Sequence, residues 1–99
     1  MAALAETLAQ PTLTGHQFHA ARKVVSRQVS FHDDMRTIHA TPEHHAMARY
    51  LSAINGMMGS YHDELVLRGA SGDLDYVRER FALPGDIRDM LDALVALYR

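Results

Sequence analysis

Residues 42–68 read PEHHAMARYLSAINGMMGSYHDELVLR, and the fold depends on whether this stretch is one helix or two. Met47, Leu51, Ile54, Met58, Tyr61 and Leu65 are spaced four, three, four, three and four, as in an a/d seam. Asn55-Gly56 has the composition of a turn. The seam nevertheless passes through Gly56 without a slip in phase. At about 100° per residue, Gly56 and Gly59 fall on the opposite face with Ser52 and Asp63. The spacing therefore predicts a single helix over 42–68, weakened in its middle by about 1 kcal/mol per glycine relative to alanine. Thr41 is the expected N-cap, Pro42 suits the first helical position, and Glu43 complements the positive helix end. Gly69 and Ser71-Gly72 mark the far end.

Upstream, Thr14 and Gln17 have the spacing of a capping box, and Leu13 and Phe18 that of a hydrophobic staple. A second long helix is expected over about 15–39. Its apolar face, from Phe18 through Val24, Val25, Val29, Phe31 and Met35 to Ile38, covers about half the circumference. The few residues between the two helices force them antiparallel. Two shorter helices are expected after the hairpin. One spans about 73–82 and buries Leu74, Val77 and Phe81. The other spans about 86–98 and buries Ile87, Met90, Leu91, Leu94, Leu97 and Tyr98, with Leu83-Pro84-Gly85 as the break between them. Residues 2–9 can form a short helix ending before Pro11. The chain reads as one all-α domain over 1–99, a helical bundle built on a long antiparallel hairpin. The first arm is too apolar for one neighbour to cover, so the C-terminal helices or a second copy must close the core. A homo-oligomer, most simply a homodimer, is the expectation.

Composition narrows the chemistry. The 99 residues are 47% hydrophobic and 22% charged, which suits a folded domain and not a disordered tail. With no cysteine, any metal must be held by His, Asp or Glu. A net charge of −2 offers nucleic acid no basic footprint, and Asp86, Asp89 and Asp92 make the last helix repulsive to phosphate. No apolar run approaches the roughly 20 residues that span a bilayer. The first ten residues lack the basic and apolar regions of a signal peptide, so the expected location is cytoplasmic. Nine arginines against one lysine (Lys23) are the usage of a GC-rich genome. Protonating all seven histidines adds seven charges to −2 and gives +5, so the surface potential reverses below neutral pH.

No catalytic residue and no cofactor follow from the sequence. Ser30-Phe31-His32-Asp33-Asp34-Met35 and Ser60-Tyr61-His62-Asp63-Glu64-Leu65 match in type at all six positions and lie on different helices. Histidine and carboxylate on facing helices are how bundles hold metals, which makes His32 and His62 candidate ligands for Zn²⁺ or another divalent ion. The spacing weighs against a shared site, because in this hairpin His32 falls opposite Tyr50 and His62 opposite Ala20. His39, His44 and His45 bracket the turn, and His16 and His19 lie at the open end; these are further candidates. Gln28, His32 and His39 sit in the apolar half of the first arm, where they are expected to be hydrogen-bonded polar residues that fix register. The alternative is a pH-sensitive seam, in which burial lowers the histidine pKa values and protonation loosens the packing.

Two functions of different classes remain. The first is a regulatory, adaptor or chaperone-like module that acts on a protein partner through its helical surface without catalysis. Its expected surface is Met57, Met58 and Tyr61, with Val25 and Val29, because methionine adapts to partners. The alternative is a divalent-metal-binding bundle using histidine and carboxylate ligands.

Overall fold

The computed structural model describes residues 1–76 and 78–98, and of Arg36 only the backbone. Four helices follow in order: α1 (Ala2–Leu8), α2 (Gly15–Ile38), α3 (Pro42–Ser71) and α4 (Gly85–Leu97). Among the described residues there is no strand, and the chain is all-α. Residues 42–68 lie within one helix, as the seam requires. α3 has 30 residues, about 45 Å at 1.5 Å per residue, close to the 47 Å long dimension of the molecule.

The helix ends form as their sequences dictate. Gln17 N–H donates to Thr14 Oγ1 (3.2 Å) while Thr14 N–H donates to Gln17 Oε1 (2.9 Å), a complete capping box. Thr41 Oγ1 accepts from His44 N–H at 3.3 Å and starts α3. Gly72, at φ +84°, ends it in the left-handed region. Asp73 N–H then donates to the Arg68 carbonyl (3.0 Å) and Gly72 N–H to that of Gly69 (3.3 Å), a pairing that satisfies carbonyls of the last turn.

α2 and α3 pack along each other as the hairpin, and α1 and α4 form a second layer. α1 lies on α2, α4 lies on α3, and the two also touch each other. Leu4 and Leu8 of α1 are buried with Phe18 and Val25 of α2, Leu51 to Leu65 of the α3 seam, and Leu91 and Leu94 of α4. Arg88 of α4 closes the contact between the short helices. Its Nη1 and Nη2 donate to the carbonyls of Leu8 (2.7 Å) and Gln10 (2.8 Å), satisfying acceptors at the negative end of α1.

The expected helix over 73–82 is not present: the described residues between Gly72 and Gly85 form an irregular connection, and Val77 lies outside the described residues. The reason is the period of burial. Phe81 and Leu83 are both buried and Ala82 between them is exposed, the two-residue period of extended chain. The backbone of Phe81 exchanges two 2.9 Å hydrogen bonds with Leu13, the residue before the α2 cap. Arg80 donates to Thr12 Oγ1 at 3.0 Å and to Gln10 Oε1 at 2.6 Å. A helix would give up these bonds and could not turn Phe81 and Leu83 to one side. The second layer is thus built from one C-terminal helix and the N-terminal α1.

The first arm also departs from expectation. Phe18, Ala21 and Val25 are buried, but Phe31 is 52% and Ile38 69% exposed. Gln28 and His32 are half-buried, and His39, expected in the apolar half, is exposed at the helix end. No described side chain from 26 to 47 is buried.

Two stability measurements check this packing. A Cβ on Gly56 meets nothing within 4 Å, whereas one on Gly15 would run into the Tyr76 carbonyl oxygen. Denaturant midpoints should show Gly56→Ala stabilising by roughly 0.5–1 kcal/mol and Gly15→Ala destabilising. Arg88→Met keeps the aliphatic stem and removes the donors. It should cost about 1.5–3 kcal/mol, the usual worth of a charged hydrogen bond, and an unchanged midpoint would show that α1 is held by packing alone.

Candidate functional site

Beyond the second layer, the hairpin continues without cover. α4 reaches the middle of the hairpin, where Tyr50 donates to the Met90 carbonyl (2.7 Å) and Tyr98 to Gln28 Oε1 (2.6 Å). Past these bonds the two arms have mainly each other. Phe31 and Ile38 stand exposed on α2, Leu97 is 63% exposed at the end of α4, and Tyr98 is exposed beside it. Met47, Tyr50, Ala93 and Leu97 line a shallow groove of about 420 Å³ between α3 and α4, closed at one side by Glu43. This end of the molecule carries four of the exposed large apolar side chains; Val66 and Leu67, near the far end of α3, are also exposed.

The residues expected to form an interaction surface lie elsewhere. Val25 and Met58 are fully buried and Tyr61 is 8% exposed, so all three are core. Tyr61 packs edge-on to Phe18 with ring centroids 5.7 Å apart, and its hydroxyl donates to the Ala82 carbonyl at 3.2 Å. Val29 is half-buried against the core. Met57 is half-buried and lines an open cleft with Gly56, Ser60, Pro84 and Asp86. Periodicity identified a seam correctly, and a seam is consumed by folding. The exposed residues Phe31 and Ile38 had looked like core because the length of the covering layer is not written in the hairpin.

The two matching histidine segments are not brought together. His62 packs against the Tyr76 ring, with centroids 5.9 Å apart, and its Nδ1 lies 3.6 Å from Asp63 Oδ1. Tyr76 in turn donates to the Gly15 carbonyl at 3.4 Å, which places His62 at the open end of the hairpin. His32 lies near the turn, where its Nδ1 is 3.4 Å from Nδ1 of His44. It meets His44 and not Tyr50, whose hydroxyl is engaged with α4. His16, His19 and His39 are exposed, and His45 is half-buried. Among the described residues, no three His, Asp or Glu side chains converge on a point that could hold a metal ion. None of the four helices is long and apolar enough, over its described residues, to cross a membrane.

Comparison with protein-family models, curated proteins and solved structures found no match, so the geometry carries the functional argument.

Partial burial, reinforced by the neighbouring His44, holds the His32 pKa below its ordinary 6.5. A base whose folded pKa is depressed binds its proton more readily once unfolded. The unfolded chain then carries more protons, and stability falls as pH drops from about 6.5 toward the lowered folded value. Denaturant midpoints at pH 7.5 and 5.5, with a chelator present, should differ less in His32→Gln than in the wild type. Equal slopes would remove His32 from the pH response.

Proposed function

We propose that the protein is a small cytoplasmic interaction module, an adaptor, regulatory antagonist or assembly chaperone, that acts without catalysis through the uncovered half of its hairpin. The observation that carries this reading is the combination of Phe31 at 52% and Ile38 at 69% exposure on a segment, 26–47, where no described side chain is buried. Single exposed apolar residues are ordinary, but large ones grouped on one projecting element are a recurrent mark of association surfaces. The groove beside Met47, Tyr50 and Leu97 adds adaptable and aromatic side chains of the kind enriched in interfaces.

The occupant this surface suits is an apolar helical face. A second copy of the chain has one, since the same patch can meet itself across a two-fold axis and extend each hairpin's core. Self-association is therefore part of the proposal, together with a protein partner that competes for the same face.

Sedimentation at micromolar concentration, with cross-linking capture from the native cells, tests both. The wild type should sediment as a dimer or capture a defined partner. Phe31→Glu with Ile38→Glu should abolish this while leaving the helical circular dichroism signal and denaturant midpoint near wild type, because neither side chain belongs to the core. A monomeric wild type whose captured proteins are the same as those of the double variant would overturn the proposal.

A further inference from the structure

The contact between His32 and His44 has the dimensions of a chelate. Their Nδ1 atoms are 3.4 Å apart, with ring centroids at 5.6 Å and ring planes tilted by 46°. Two imidazole nitrogens bound to one tetrahedral ion, each at about 2.0–2.1 Å, stand about 3.4 Å apart. The two histidines come from different helices, are both half-buried and so reachable from solvent, and are held by elements fixed on either side of the turn. His44 is the third residue of α3, where its own N–H is committed to the Thr41 cap. The Phe31 ring stands edge-on to His32 with centroids 5.1 Å apart, restricting that imidazole from one side.

We propose that His32 and His44 form a two-imidazole site for a borderline divalent cation, Cu²⁺ or Zn²⁺, that ties α2 to α3 beside the turn. With no third protein ligand converging among the described residues, water fills the remaining positions. The site is accordingly open and exchangeable, and not a closed structural centre. Imidazole ligation favours Cu²⁺ over Zn²⁺. Because both ligands are in place only when the hairpin is formed, a bound ion stabilises the folded chain by mass action. This inference is independent of the interaction surface, since it needs neither Ile38 nor a partner chain.

The test uses tag-free, metal-stripped full chain in a non-chelating buffer at pH 7.5. Calorimetric titration with CuCl₂ and with ZnCl₂ should show saturable binding of one ion per chain, tighter for Cu²⁺ and in the micromolar range. His32→Ala and His44→Ala should each weaken binding at least tenfold, while His16→Ala with His19→Ala stays within about twofold of wild type. Thermal unfolding gives a second readout: excess metal should raise the midpoint of the wild type and not that of either single variant. Absence of saturable binding below millimolar concentration, or wild-type affinity retained in either His32→Ala or His44→Ala, would overturn the proposal.

Discussion

A hairpin whose longer arm runs about 45 Å must be covered by helices of about 10 and 20 Å, the lengths that 7 and 13 residues give at 1.5 Å per residue. α1 and α4 lie against each other as well as on the hairpin, so their lengths do not simply add along its axis. The consequence is a molecule with two halves of different character. At the open end, both arms face a second layer and side chains are fully buried. Toward the turn, each arm has mainly the other, and burial stops after Val25 on α2 and before Ala48 on α3.

The covered half is closed by aromatic rings. Phe81, carried in by the extended connection, meets Phe18 edge-on at 5.9 Å and stacks on Tyr76 at 6.1 Å with only 22° between planes. Aromatic pairs at these separations add to the area they bury, and here they join α2, α3 and the connection at one place. The tyrosine hydroxyls secure the assembly at its edges. Each of the four donates to a partner on a different element: Met90, Ala82, Gly15 and Gln28. Burial raises all four phenols above their ordinary pKa of 10, so they are protonated donors at neutral pH. The hydroxyls thereby find acceptors without a polar core, and no described polar or charged residue is buried.

This division explains what the sequence could and could not say. The a/d seam, the Thr14 box and the Thr41-Pro42 start are local signals, each set by residues within four positions of one another, and each formed as read. The connection over 72–84 is different. Leu74, Val77 and Phe81 also have helical spacing, and only the distant backbone of Leu13, an exchange across 68 residues, decides for extended chain. In the same way, His39 and Phe31 lie on an apolar stripe whose burial depends on where α4 ends. Met58 and Tyr61 are core for the complementary reason, since the strongest periodic signal marks the residues most fully consumed by folding, while Met57, off the seam, stays half-buried beside an open cleft. The pairing of His32 with His44 left no trace at the level of spacing, because it joins side chains of two different helices.

Beyond the core, the arms of the hairpin are held by polar contacts. Ser26 donates to Asn55 Oδ1 at 3.3 Å, and His32 meets His44. Such contacts exchange readily with water and contribute only about 0.5–1.5 kcal/mol net each, whereas a buried leucine contributes about 1.5–3 kcal/mol. Separating the arms from residue 26 toward the turn breaks these weak bonds and disturbs Val29 and Met47, which are only partly buried against the core. By contrast, separating them at Met58 or Leu65 would open the core. Low burial is the physical basis of easy local opening, and the segment 26–47, which carries Phe31 and Ile38, has no buried described side chain. A binding partner acting there has little internal packing to disrupt, while the covered half anchors the hairpin to a rigid base.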